Sequence, residues 1–155
     1  MEQIINTPLL QEIKRLCPKE GILSINAENA YCYLKLQDDF LINLFPSLTE
    51  SIKDLIKLPD YFSGDNIGAH ISVIYPEEVK TESMKATIQQ NAFEKQHTFQ
   101  VLELIKMPMP KKTYYVLSVA APSLTAIRTT LGLPSLLNFR GLWVPFHLTV
   151  AIGNL

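Results

Sequence analysis

Apolar positions along this chain alternate between two spacings. Leu9, Leu10, Ile13 and Leu16 recur at helical intervals, with Thr7 as N-cap and Pro8 in the first turn, and they stop before Pro18; this predicts a short amphipathic helix. From Tyr31 to Leu36 the period becomes two, with Cys32, Leu34 and Leu36 set against Tyr31, Tyr33 and Lys35, as in a half-buried strand. Leu48, Ile52, Leu55 and Ile56 predict a second helix from Pro46 up to Pro59. Ser63, Gly64, Asp65 and Asn66 mark Asp60 to Gly68 as a loop that leads into an apolar strand from Ala69 to Tyr75. Pro76, Glu77 and Glu78 suit the opening of a helix reaching toward Gln90. Phe99 to Met107 and Thr113 to Ala120 read as two strands joined by a hairpin loop, Pro108 to Lys112. A helix from Pro122 to Leu131, stopped by Gly132, and a strand from Phe146 to Ile152 complete the chain.

Strands and helices mixed in this way predict an α+β domain of two similar halves, each reaching one histidine-bearing strand. A length of 155 residues, 47% hydrophobic and 19% charged, excludes disorder, collagen and coiled coil, and suits a single domain over residues 1–155. No run approaches the ~18 to 20 apolar residues of a membrane helix, and Met1 to Asn6 has no basic flank leading into an apolar signal core; a soluble, cytoplasmic protein is the expectation. A net charge of −1 predicts no global attraction to duplex DNA or acidic membranes, and a monomer is expected. Cys17 and Cys32 lack metal-ligand spacing and read as free thiols.

Composition leaves the chemistry to the histidines, of which there are three: His70, His97 and His147. Two share a context, "AHISVIY" from Ala69 and "FHLTVAI" from Phe146, with a hydroxyl side chain two residues after the histidine. On a strand, residues two apart share a face and lie about 6 to 7 Å apart. His70 and Ser72 therefore share one face, with Ala69, Ile71 and Val73 on the other; His147 and Thr149 share a face opposite Phe146, Leu148, Val150 and Ile152. The apolar face supplies core, and the histidine face is left for something polar. His97 is followed two residues on by Phe99, which suits a surface or strand-end role.

His70-Ile71-Ser72-Val73 and His147-Leu148-Thr149-Val150 resemble the paired His-x-Ser/Thr-x motifs of the 2H phosphoesterases. The resemblance implies a bilobal fold in which two antiparallel sheets, related by a pseudo-twofold axis, form a central cleft with helices outside. It also implies chemistry without metal or cofactor on 2′,3′-cyclic phosphates, 2′,5′ linkages or RNA ends. Imidazole, with an unperturbed pKa of about 6.5, can take a proton from an attacking oxygen or give one to a leaving oxygen near neutral pH. Hydroxyls such as those of Ser72 and Thr149 can donate hydrogen bonds to the non-bridging phosphoryl oxygens. The assignment of base and acid between His70 and His147 stays open, because it reverses with substrate orientation. Val73 and Val150 occupy the fourth motif positions, where some RNA-processing members carry arginine.

Four further residues are candidates for substrate binding: Tyr33 and Lys35, which share a strand face with Tyr31, and Arg140 and Trp143, which precede the second motif. Lys106, Lys111 and Lys112 flank or occupy the hairpin loop, where they could guide a polyanion or simply keep the loop solvated. No glycine-rich phosphate loop or metal-binding motif is present. Three readings remain: a phosphodiesterase, a catalytically weak nucleotide- or RNA-binding module using the same cleft, and a structural domain with two buried histidines.

Overall fold

The computed structural model of the chain describes residues 1–62, 66–92 and 95–153. Of the turn formers expected after Asp60, Ser63, Gly64 and Asp65 lie outside the described residues. A five-stranded sheet contains β1 (Glu2–Ile4), β4 (Ile56–Lys57), β7 (Gln100–Pro108), β8 (Thr113–Ala120) and β11 (His147–Gly153), in the order β1-β7-β8-β11-β4. A four-stranded sheet contains β2 (Glu20–Ile25), β3 (Cys32–Lys35), β5 (His70–Ile74) and β6 (Gln96–Thr98), in the order β5-β3-β2-β6. The short strands β9 (Leu137–Phe139) and β10 (Leu142–Val144) pair as a hairpin. Neighbouring strands in both sheets run antiparallel. The fold is thus α+β and consistent with a 2H phosphoesterase architecture, with one motif strand in each sheet.

Among the described residues, four α-helices accompany the sheets: α1 (Thr7–Leu16), α2 (Asp39–Ser51), α3 (Glu82–Ala92) and α4 (Pro122–Thr130). Helix α1 packs on α2 and β7, α3 on β2, and α4 on β5 and β6. Leu23, Leu34, Ile71 and Ile74 from one sheet and Leu104, Leu117, Leu148 and Val150 from the other belong to the same buried cluster. Cys17 and Cys32 are buried free thiols, and burial raises each to a pKa of about 12.

Local chemistry explains where the elements depart from the sequence pattern. Asn6 rather than Thr7 caps α1, its Oδ1 accepting the Leu9 N–H at 3.0 Å. The second helix starts at Asp39, well before Pro46, and ends at Ser51 rather than at Pro59. Its buried stripe is Phe40, Leu41, Leu44 and Leu48. Burying four such side chains contributes roughly 6 to 12 kcal/mol, which outweighs the cost of about 3 kcal/mol for a proline inside a helix. Pro76–Glu78 forms a 3-10 turn separate from α3, because the Glu78 carboxylate turns back to accept the Tyr75 N–H at 2.9 Å. Strand β2 alternates exposed and buried positions through Gly21, where β3 approaches so closely that a Cβ would meet the Lys35 carbonyl oxygen at 2.6 Å.

Both histidine strands carry a β-bulge at the same point. Tyr33 lies opposite Ser72 but Cys32 opposite Ile74, so Val73 is an extra residue in β5. Thr149 lies opposite Val116 but Ala151 opposite Tyr115, so Val150 is an extra residue in β11. The fourth motif position is the bulged one in each copy. A bulge reverses the side-chain parity of the residues beyond it. Hence Ile71, Val73 and Ile74 are all buried, as are Leu148, Val150 and Ala151. Strict alternation sets Ile152 opposite the histidine; the bulge instead carries Ile152 to the histidine side, and in β5 it does the same for Tyr75.

One fully buried cation fixes the first bulge. Arg128 of α4 donates from Nη1 to the Val73 carbonyl at 2.9 Å and forks onto Glu78, Nη1 to Oε1 at 2.9 Å and Nη2 to Oε2 at 2.8 Å. Its Nε reaches the Pro134 carbonyl at 2.8 Å, tying in the segment before β9. Removing one partner of a buried pair strands the other charge in a low-dielectric interior. Arg128→Ala should therefore lower the free energy of unfolding by about 3 kcal/mol or more. Arg15→Ala, which removes a surface pair with Glu12, should leave the denaturation midpoint in place. Equal midpoints for the two variants in a urea titration would contradict this account of the bulge.

Candidate active site

Strands β5 and β11 pack against each other where the two sheets meet. A cavity of about 330 Å³ opens there, and His70, Ser72, His147 and Thr149 all line it. Its remaining wall is largely aromatic: Tyr31, Tyr61, Tyr75, Tyr114 and Phe139, with Arg140, Lys112 and Asp60 as the charged groups.

The two imidazoles are held alike. His70 Nδ1 lies 2.7 Å from the Gly68 carbonyl oxygen and His147 Nδ1 lies 3.0 Å from the Pro145 carbonyl oxygen, in each case two residues upstream. A carbonyl only accepts, so Nδ1 carries the proton in both rings and Nε2 is the nitrogen left for the cavity. Aromatic edges flank both rings: Tyr61 at 5.1 Å from His70 and Phe139 at 5.4 Å from His147, centroid to centroid. Burial lowers both histidine pKa values below 6.5, and the proximity of His70 lowers that of His147 further.

The chain ahead of His70 is built for that contact. Gly68 adopts φ +82°, and a Cβ there would collide with the Asp38 carboxylate. Asp38 in turn accepts the Ala69 N–H at 2.7 Å and the Lys35 ammonium at 2.9 Å. These bonds hold the carboxylate below the usual carboxylate range against the opposing effect of burial, and they set the Gly68 carbonyl under the His70 ring.

The hydroxyl pair is less symmetric. Ser72 Oγ is hydrogen-bonded to the Tyr31 hydroxyl, whereas Thr149 is held through its backbone carbonyl, which accepts from the Tyr61 hydroxyl. Burial pushes the Tyr31 phenol up to about 12 and raises those of Tyr61 and Tyr75 as well, so these three remain protonated donors at neutral pH.

The other substrate-binding candidates divide. Arg140 reaches the cavity, its guanidinium lying 5.7 Å from the Tyr114 ring centroid and 5.8 Å from that of Phe139. Tyr33 packs edge-on to His70 at 6.0 Å and is not part of the cavity wall. Lys35 is also outside the wall, because Asp38 and the Leu36 carbonyl, at 2.5 Å, hold its ammonium. Trp143 lies on β10 rather than in a loop, 54% exposed and away from the cavity. His97 sits in β6, its Nδ1 2.8 Å from Ser123 Oγ at the start of α4. Sequence reasoning missed Tyr61, Tyr75, Tyr114 and Phe139. Tyr75 is hidden by the bulge, and Tyr114 can be found only by pairing β8 with β11, where it stands opposite Ile152. Among the described residues, no three His, Cys, Asp or Glu side chains gather as metal ligands.

Comparison with known protein families gives the class of the domain. The sequence profile of the 2H-SAK family, the Swiss Army Knife 2H phosphoesterase domain, matches residues 32–154 and so spans both motifs. The chain belongs to the 2H phosphoesterase superfamily, a class whose activity is of the phosphodiesterase type. Neither the search of curated proteins nor that of solved structures gave a match. No described helix is long and apolar enough to cross a membrane.

The histidine environment makes a prediction about acid stability. Above the unfolded-state value of about 6.5 both forms of the protein hold these imidazoles neutral, so proton uptake does not distinguish them. Below it the unfolded chain takes up protons that the folded one resists, and stability falls as the pH drops toward the lowered folded values. NMR titration should place His70 and His147 below 6.5, with stability declining over the same interval. A value above 7 for either ring would contradict the burial argument.

Proposed function

We propose that the cleft is a phosphodiesterase site in which His70 and His147 are an acid/base pair acting on cyclic or 2′,5′-linked nucleotides or RNA ends. The observation that carries this reading is the matched Nδ1 anchoring of two imidazoles that line one cavity, which leaves an Nε2 on each side for a phosphate between them. In hydrolysis of a 2′,3′-cyclic phosphate, one neutral Nε2 takes a proton from the attacking water. The other ring, protonated, gives its Nε2 proton to the departing ribose oxygen as the P–O bond breaks. Ser72, Thr149 and Arg140 are placed to hold the non-bridging oxygens, where charge accumulates in the transition state. No step calls on a metal ion, because both proton transfers and the charge stabilisation have a protein group assigned to them.

One ring must enter the cycle protonated although burial disfavours that form in both. The free-enzyme profile is therefore a bell whose maximum lies below pH 6.5. Assays on 2′,3′-cyclic mononucleotides, 2′,5′-linked oligoadenylates and short RNAs in EDTA should reveal turnover, with a kcat/KM maximum on the acid side of pH 6.5. His70→Ala and His147→Ala should each reduce kcat by at least about a hundredfold. Unchanged turnover in either variant would remove that ring from the chemistry. Tight binding of all three substrate classes without turnover would make the domain a binding module instead.

A further inference from the structure

The catalytic cavity has a neighbour at Arg140. A second cavity, also about 330 Å³, lies over the β7–β8 hairpin and is lined by Met109, Pro110, Lys111, Lys112, Tyr114 and Arg140. Lys112, Tyr114 and Arg140 belong to both walls, so the two cavities adjoin. Three of the six lining residues of the second cavity are cations and none is a carboxylate, in a chain whose net charge is −1. Lys112 is paired with Asp60 at 2.5 Å, whereas Arg140 has no ion pair among the described residues.

The backbone at Arg140 points the same way. Arg140 and Gly141 form the two-residue turn between β9 and β10 with φ +51° and +93°. That left-handed pair favours Asn-Gly, and a long β-carbon-bearing side chain at the first position is strained. The strained residue here is a guanidinium laid across Tyr114 and Phe139 at the junction of the cavities. Met109 and Pro110 provide an apolar ledge beside the cations.

A cyclic mononucleotide carries a single phosphate, and the histidine pair takes it. Lys111, which lines only the neighbouring cavity, would have no anion to meet in such a substrate. We infer that the hairpin shelf is a second subsite, which binds an adjacent phosphate and nucleoside of a single-stranded oligonucleotide through Lys111 and the Met109–Pro110 ledge, with Arg140 at the junction of the two cavities. The inference rests on the acid/base reading only in assigning the scissile phosphate to the first cavity.

The test uses Lys111→Glu, an exposed substitution outside the catalytic cavity. Adenosine 2′,3′-cyclic phosphate and an oligoadenylate ending in the same cyclic phosphate are compared as substrates. Binding of a fluorescein-labelled single-stranded RNA hexamer is measured in parallel in the His147→Ala protein, with and without Lys111→Glu. The oligonucleotide should have the higher kcat/KM, and Lys111→Glu should raise its KM about tenfold while leaving the mononucleotide unchanged. The salt dependence of log Kd for the hexamer should become shallower by about 0.7, the contribution of one phosphate contact to a single strand. Turnover of both substrates with no effect of Lys111→Glu would overturn the subsite and leave the acid/base reading standing. Hexamer binding that depends on Lys111, without turnover of either substrate, would support the subsite and overturn the acid/base reading. Hexamer binding unaffected by Lys111→Glu, or none at all, would overturn the subsite in either case.

Discussion

A histidine on a strand can present either ring nitrogen, and a pair of them can do proton chemistry on one phosphate only if each turns inward a nitrogen that no protein group already occupies. In this fold the backbone makes the choice. The carbonyls of Gly68 and Pro145 each lie beside the Nδ1 of the histidine two residues on, so the tautomer is written into the turn that delivers each strand. Everything around the first of these contacts serves to hold it: the left-handed Gly68, the Asp38 carboxylate packed where a Cβ would stand, and the Ala69 N–H bonded to that carboxylate.

The bulges do the corresponding work at the other end of each motif. In a regular strand the residues two and four beyond the histidine would face the cleft. One extra residue at Val73 and another at Val150 break that sequence and bury two adjacent residues in each strand, Val73 with Ile74 and Val150 with Ala151, while Tyr75 and Ile152 come round to the cavity. A small β-branched residue suits a bulge pressed into a core, where an arginine at the same position would need its own partners. The charge is supplied from elsewhere: Arg128 reaches the first bulge from behind as a buried structural cation, and Arg140 reaches the cavity from the β9–β10 turn. Arg128, far from β5 in sequence, thus fixes its backbone, while Arg140, a few residues ahead of β11, lines the cavity.

Much of this was legible in the chain itself. The parity of His70 with Ser72 and of His147 with Thr149, the hairpin from Phe99 to Ala120 and the helix from Pro122 all follow from local periodicity. The features that could not be read depend on pairing between distant segments. A bulge leaves no mark in a single strand, so alternation alone puts Ile152 on the wrong face. Lys35 has the right parity for a cleft residue, but Asp38 holds its ammonium on the far side of the His70 turn. Pro46 looks like the start of a helix because local rules assign proline to first turns; the stripe from Phe40 to Leu48 extends across it because the core rewards that stripe more than the proline penalises it. Tyr61 belongs to no periodic pattern and becomes visible only through its bond to the Thr149 carbonyl.

The central claim is that two imidazoles, one from each sheet, present Nε2 to a common phosphate site. Long-range proton–nitrogen NMR at pH 7.5 reads the tautomer of each ring directly. The account predicts the Nδ1–H form for both His70 and His147, and a shift of both Nε2 resonances when a nucleoside 2′,3′-cyclic phosphate is added to the protein. An Nε2–H tautomer at either residue, or a nucleotide that perturbs one ring and leaves the other untouched, would contradict it.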